Sequence, residues 1–422
     1  MHASFPRYRE FSPLAPTFCV TPGEGRVIHR YFDTCPFSPS GRYLAVFRLP
    51  REDRPPLPGE QGEVVVVDLE TAREQVVAKT AGWESQVGAN LNWGSDDDTL
   101  IFNDVDVRDW TAHGVKLNWR TGAAERFAHG VYHVSPDGRF AACGDMGAMR
   151  RTQGGYGVIL PDDRTPRHVG LPDDEGVWIT NLETLESKLL ISLREVVERT
   201  VPKELRGAYE AYENYVFHTK WSPRGDRLMF STRRFPHAHS NRFNVICDGV
   251  LLFDVFTITP EGKELHNALD SKVWENYGHH TNWLPDGEEL SLNLAVKGGK
   301  TVYFCRVGHD GSNLRTFFDA PVGSGHPTMH PSGKFLLTDV YSFEPLAFPD
   351  GTAPLRLIDL ATRQETRPVR ISIKPAAGVI EKHIEMRCDP HPAWDRGYRY
   401  VAFNGMADGT RRVYVADLQQ WI

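Results

Sequence analysis

The chain has 422 residues, 40% hydrophobic and 24% charged, with a formal net charge of −7. That composition is ordinary for a folded globular protein and excludes disorder as the default. The acidic balance, with no Lys/Arg run interleaved with aromatics, excludes a general nucleic-acid binder.

The first twenty residues, "MHASFPRYREFSPLAPTFCV", hold no apolar stretch of signal-peptide length, and no later segment approaches a membrane span. The reading is a cytoplasmic protein with no membrane partner. Its six cysteines are scattered, without a CxxC pair, which fits reduced thiols rather than a disulfide frame.

Two phrases alternate along the chain. The first is an aromatic or apolar residue, Ser-Pro-x-Gly, then an apolar strand. It runs "FSPSGRYLAVF" from Phe37, "WGSDDDTLIF" from Trp93, "VSPDGRFAAC" from Val134 and "WSPRGDRLMF" from Trp221. It continues with "WLPDGEELSL" from Trp283, "MHPSGKFLLT" from Met329 and "WDRGYRYVAF" from Trp394. The second phrase is an apolar strand closed by Asp/Asn-Leu or a glycine turn. Its best copies are "VVVVDLETA", "VWITNLETL", "LRLIDLATR" and "VYVADLQQW", and "VKLNWRTG", "FTITPEG" and "YFCRVGHDG" are weaker. Seven of each, in strict alternation, predict seven four-stranded antiparallel blades: an all-β, seven-bladed propeller forming one domain over 1–422.

After the third unit, "ISLREVVERTVPKELRGAYEAYENY" breaks the pattern with helical spacing and a Pro-Lys-Glu start at Pro202. It predicts a short helical insertion at about 190–215, serving as a brace or a lid.

Aligning the units exposes one position, three residues before the aromatic. It holds Thr34, Asn90 and Val131 in the first three units, then His218, His280, His326 and His391. The first strand of a blade lines the channel, so equal positions face one another at one depth. Histidines that serve only to knit blades together should recur in every unit, whereas these stop after half the ring. Convergent imidazoles bind a transition metal or supply a base near neutral pH. Four could close a metal shell, or three could hold the ion with one left free. Thr34 and Asn90, on the other half, leave room for a substrate. By strand alternation, His279 should face away into blade packing and His330 should be a turn residue.

The loop "STRRFPHAHSNRF" concentrates Arg233, Arg234, His237 and Arg242 near the channel mouth, where arginine could clamp a carboxylate bidentately. Tyr341 is a candidate proton donor to a leaving oxygen. Asp33 and Asp389 are the nearest candidates for the facing carboxylates of a glycoside hydrolase.

The phrases "FHTKWSPRGDRLMF", "NYGHHTNWLPDGEEL", "GHPTMHPSGKFLLTD" and "DPHPAW" together resemble the oligogalacturonate lyases, seven-bladed enzymes that split uronate oligomers. The resemblance spreads over most of the chain. It implies β-elimination on a short acidic oligosaccharide, assisted by a divalent ion, most often Mn2+. It implies His218 as the base, His280 and His326 as metal ligands with His391 beside them, and Arg242 as the arginine on the substrate. The residues themselves, apart from the resemblance, make Arg233, His237, Asn90 and Tyr341 the further candidate substrate contacts. The chain departs from the family's pattern in two places. "PVGSG" lacks a glutamine before the sixth-blade histidine, and Asp389-Pro390-His391-Pro392 stands where the family has His-Pro-His-Pro. A non-catalytic propeller resembling the Tol-associated proteins, binding peptide or protein at its mouth, is the alternative.

Overall fold

The computed structural model describes residues 4–239, 251–274, 277–375 and 377–422. It contains seven four-stranded antiparallel sheets, as the alternating phrases predict. The inner strands of blades two to seven include Asn92–Trp93, His133–Val134, Tyr212–Trp221, Gly278–Trp283, Thr328–Met329 and Ala393–Trp394.

The Ser-Pro-x-Gly phrase is the tight turn after each inner strand. The N–H groups of Gly41, Gly138, Gly225, Gly287 and Gly333 each bond the carbonyl three residues back at 2.8–2.9 Å. Their φ values of 67–77° explain why glycine stands there. Unit two has no glycine at this place, and Asp96 Oδ1 holds the turn by accepting from the Asp98 and Thr99 amides. The Asp/Asn of the second phrase does the same for the outer turns. Asp68, Asn118, Asn181 and Asp359 each accept from the two amides that lie two and three residues on.

Blade seven takes its outer strand from the other end of the chain, which the unit-by-unit reading does not anticipate. Thr17–Cys19 pairs with Arg412–Asp417, with Thr17 opposite Ala416 and Cys19 opposite Tyr414. This pairing covers the edge of Arg412–Asp417 and ties the two ends of the ring together. The core lies between blades, where the aromatic that follows the histidine position is buried. Trp93 Nε1 donates to Pro36 O and Trp283 Nε1 to Lys220 O, each fastening its blade to the preceding inner strand.

The predicted insertion is present. Leu193–Thr200 is an α-helix whose start is set by Ser192 and Glu195, each capping the other's backbone N–H. A 3-10 turn at Lys203–Leu205 and a single helical turn at Gly207–Glu210 follow. Leu193 and Val196 pack into the core shared by blades three and four, so the helix braces these blades. Among the described residues, no helix is long and apolar enough to cross a membrane, and five cysteines are free thiols.

Candidate active site

The histidine position is a bulge. In blade four the pairing slips between Phe217 and Thr219, leaving His218 unpaired at φ 52°. In blade five it slips between His279 and Asn282, with His280 at φ 61°. His391 and Asn90 share this conformation at 50° and 54°. Left-handed backbone is uncommon outside glycine, and its recurrence at one register position marks a device that turns the side chain toward the axis. In blade six the left-handed residue is Gly325, one place earlier; a Cβ there would meet Asp339 Oδ1 at 2.1 Å.

The bulge corrects the expectation for His279. Alternation breaks across it, so His279 also faces the axis, its Nδ1 2.8 Å from His280 Nδ1. His330 is the turn residue expected, bonded to Ser332 Oγ at 2.8 Å.

Around the axis the imidazoles converge. His280 and His326 have ring centroids 3.9 Å apart, and His326 and His391 4.3 Å apart. Asp339 ties two of them together. Its Oδ1 accepts from the His326 amide at 2.7 Å and from Nδ1 at 2.9 Å, and its Oδ2 accepts from the His391 amide at 2.9 Å. That fixes the His326 proton on Nδ1 and turns a bare Nε2 outward. His326 Nε2 and both His391 nitrogens are buried and unpartnered. One ligand atom from each of His326, Asp389 and His391 lies within 4.8 Å of the others. Buried imidazole lone pairs beside a carboxylate suit a divalent cation, so these residues fit one. Burial, with His326 and His29 nearby, lowers the His391 pKa far below the ordinary histidine value and keeps it a neutral donor.

His280, the third expected ligand, is engaged elsewhere. Its Nδ1 lies 2.5 Å from Gly325 O and its Nε2 2.9 Å from the Tyr341 hydroxyl. A proton on Nδ1 serves the Gly325 carbonyl and lets Tyr341 donate to Nε2, whereas a proton on His279 Nδ1 would serve His280 Nδ1 and leave Nε2 the donor to Tyr341. Tyr341 thus lines the cavity with its hydroxyl against His280.

The half of the ring without histidines is filled, not open. Residues 29–34 leave blade one after Val27–Ile28, dip into the channel, and rejoin the sheet where Phe37 bridges Leu44. Arg30 donates to Asn90 Oδ1 at 3.2 Å, bonds Thr34 Oγ1, and pairs with Asp33 at 2.9 Å. Lys220 Nζ, from blade four, pairs with Asp33 at 2.9 Å. Asn90 is fully buried and positions Arg30, away from the cavity lining. Asp33 and Asp389, the hydrolase candidates, are both held by cations, Asp389 by Arg387 at 2.6 Å. Burial works to raise the Asp33 pKa, but Lys220 and Arg30 overcome it and hold the carboxyl far below its usual range.

The same excursion carries Tyr31 to the centre of the arc. Its ring meets those of His218, His326 and His391 at centroid distances of 5.7, 5.4 and 4.6 Å. A cavity of about 910 Å³ opens above, lined by Tyr31, Tyr156, His218, His280, Arg233 and Arg387 among others. His218 Nε2 is buried and unpartnered. Burial first, then Lys220 and Arg233, drive the His218 pKa far down, leaving a neutral imidazole.

Arg233 reaches this cavity with its guanidinium 3.4 Å from the Phe217 ring centroid and 4.8 Å from that of Phe253. It donates to Gln153 Oε1 at 2.8 Å and has no carboxylate partner among the described residues. Burial pushes its pKa down to about 9. Arg234 pairs with Asp254 instead. His237 is half-exposed, bonds Glu213 Oε1 at 3.1 Å, and stays apart from the cavity. Arg242 lies outside the described residues.

No protein-family model and no curated protein matches this chain. Solved structures do. An oligogalacturonate lyase in complex with manganese superposes with TM-score 0.64 at 14% identity, covering 99% of this chain and 97% of that one. The fold is that of the oligogalacturonate lyases. A second such lyase, from Vibrio parahaemolyticus, gives TM-score 0.63 at 12% identity with the same coverage. A putative TolB from Agrobacterium tumefaciens gives 0.39 at 15%, covering 82% of this chain and 95% of that one.

Asp389 stands where the oligogalacturonate-lyase pattern has the first histidine of His-Pro-His-Pro, and its carboxylate offers an oxygen within 4.8 Å of the ligand atoms of His326 and His391. Asp339 and Tyr31 had no motif to announce them. The only signal for Tyr31 was a charged run, "HRYFDT", where a plain inner strand was due.

Proposed function

We infer that this protein is a metal-assisted lyase that cleaves short uronate-containing oligosaccharides by β-elimination, leaving an unsaturated uronate. The observation that carries this reading is the group of buried, unpartnered imidazole nitrogens: His218 Nε2 lines an arginine-lined cavity, and those of His326 and His391 lie behind Tyr31, which lines it too. A propeller that binds protein at its mouth has no use for them. The five free thiols suit a reducing compartment, and we place the reaction in the cytoplasm.

His326, Asp389 and His391 would hold the divalent ion, with His280 packed against His326; manganese, as in the neighbouring lyase, is the first choice. When bound, such an ion supplies Lewis acidity for the negative charge that builds on a uronate carboxylate as its C5 proton leaves. Arg233 offers that carboxylate a buried guanidinium with no competing acid among the described residues. His218, neutral and with Nε2 free, takes the proton. Arg30, Asp33 and Lys220 close the channel beneath the site.

The test is to incubate manganese-loaded protein with di- and trisaccharides of uronic acids and follow ultraviolet absorbance. A conjugated unsaturated uronate should accumulate with the loaded protein and not after chelation. If no uronide in either the gluco or the galacto series gives that absorbance, the lyase reading is wrong.

A further inference from the structure

The arrangement around His218 bears on which uronates fit, an inference that rests on the lyase reading above. Elimination needs a second group, one that gives a proton to the departing C4 oxygen. Three buried phenols surround His218: Tyr31, Tyr132 and Tyr156, at centroid distances of 5.7, 5.0 and 5.4 Å. Tyr132 does not line the cavity, and the Tyr156 hydroxyl lies 3.4 Å from that of Tyr31. Tyr31 lines the cavity and, of these three phenols, is the one whose ring also packs against His326 and His391, at 5.4 and 4.6 Å. Of the other phenols lining the cavity, Tyr341 has its hydroxyl 2.9 Å from His280 Nε2, and Tyr277 is exposed and packs against His279 rather than His218.

Aromatic rings at 5.7 Å between centroids are in edge contact, so no sugar can pass between Tyr31 and His218. Both must address a bound pyranose from the same side. We propose that Tyr31 is the proton donor to the leaving oxygen, on the same face of the sugar as the base His218. The protein therefore takes uronates whose C5 hydrogen and C4 oxygen are cis, as in the gluco and manno configurations. Galacturonate, in which they are trans, would need its donor on the far face.

The step balances without a co-reactant. His218 Nε2 takes the C5 proton, and the C5–H electron pair becomes the C4–C5 double bond. The C4–O bond breaks, its pair stays on oxygen, and that oxygen takes the Tyr31 proton. Before the next turnover the imidazolium loses its proton and the phenolate regains one through water in the cavity, so the net proton count is unchanged. The products are one unsaturated uronate and one alcohol.

The experiment compares a 4-linked glucuronate disaccharide with its galacturonate counterpart, using manganese-loaded wild type and Tyr31→Phe. Wild type should cleave the gluco compound and leave the galacto compound essentially untouched. Tyr31→Phe should lose elimination by roughly 100-fold. In deuterated water it should still exchange the C5 hydrogen, seen by NMR, because His218 remains; a merely structural tyrosine would not separate the two rates. Preference for the galacto compound overturns the proposal while leaving the lyase reading intact. So does a Tyr31→Phe protein, with unchanged melting temperature, that keeps its elimination rate or loses exchange and elimination together. Cleavage of neither compound removes this proposal, and the lyase reading falls with it if other uronides also fail.

Discussion

His218→Asn should lower kcat by about 1,000-fold, within the range for removing a general base, with KM changed only a few-fold. Asparagine is the informative replacement. His218 sits at φ 52°, a conformation asparagine tolerates and most side chains do not, and Asn90 already occupies the equivalent bulge of blade two at φ 54°. The fold is thus preserved while the basic nitrogen is lost. The pH profile gives a second check. Burial lowers the His218 pKa below the ordinary 6.5, so the base stays unprotonated as the pH falls through that value. The acid limb of kcat/KM should therefore lie well below pH 6.5. A variant with near wild-type kcat would contradict the assignment, while a limb at 6.5 that disappears in the variant would keep His218 as the base and contradict its lowered pKa.

Asp33→Asn should destabilise the protein by about 3–5 kcal/mol, measured as a fall in the urea midpoint, because it removes one side of a buried ion cluster. The Asp33, Arg30 and Lys220 side chains are only 1–2% exposed, and the carboxylate serves both cations at 2.9 Å. Asparagine keeps the shape and leaves two positive charges facing each other without water. Removing one cation as well, with Lys220→Met, should recover part of the loss, since the cost lies in the uncompensated charge. A surface pair offers the contrast: Arg399 and Asp417 are exposed to solvent, and breaking that pair should cost about 1 kcal/mol or less. A change of under about 1 kcal/mol for Asp33→Asn would mean that water reaches the cluster.

The blades were legible because each unit repeats its own turn chemistry: Gly138 needs a positive φ whatever lies elsewhere, and Asn181 caps its turn locally. The histidine arc was legible for the same reason, since a register counted from Trp221 or Trp283 survives without knowledge of the neighbouring blades. What joins distant parts of the chain was not. Thr17–Cys19 carries no sign that its partner is Arg412–Asp417. The Arg30 excursion meets Asn90 and Lys220 only after the ring has closed, so Asn90 read as open space when it is a holder of Arg30. Alternation failed at His279 because a bulge adds a residue that a period of two does not count. Asp339 reads in sequence as the end of a strand; only the folded chain puts its two oxygens between His326 and His391.

Elemental analysis of the untagged protein, as wild type and as His326→Ala, tests the metal centre most directly. One manganese or other divalent ion per chain in wild type, lost in His326→Ala while the melting temperature of the chelated protein stays close to wild type, is the result this account predicts. Wild-type protein that holds no divalent ion and takes none up on titration would contradict it, because the His326, Asp389 and His391 donors would then have no cation to serve.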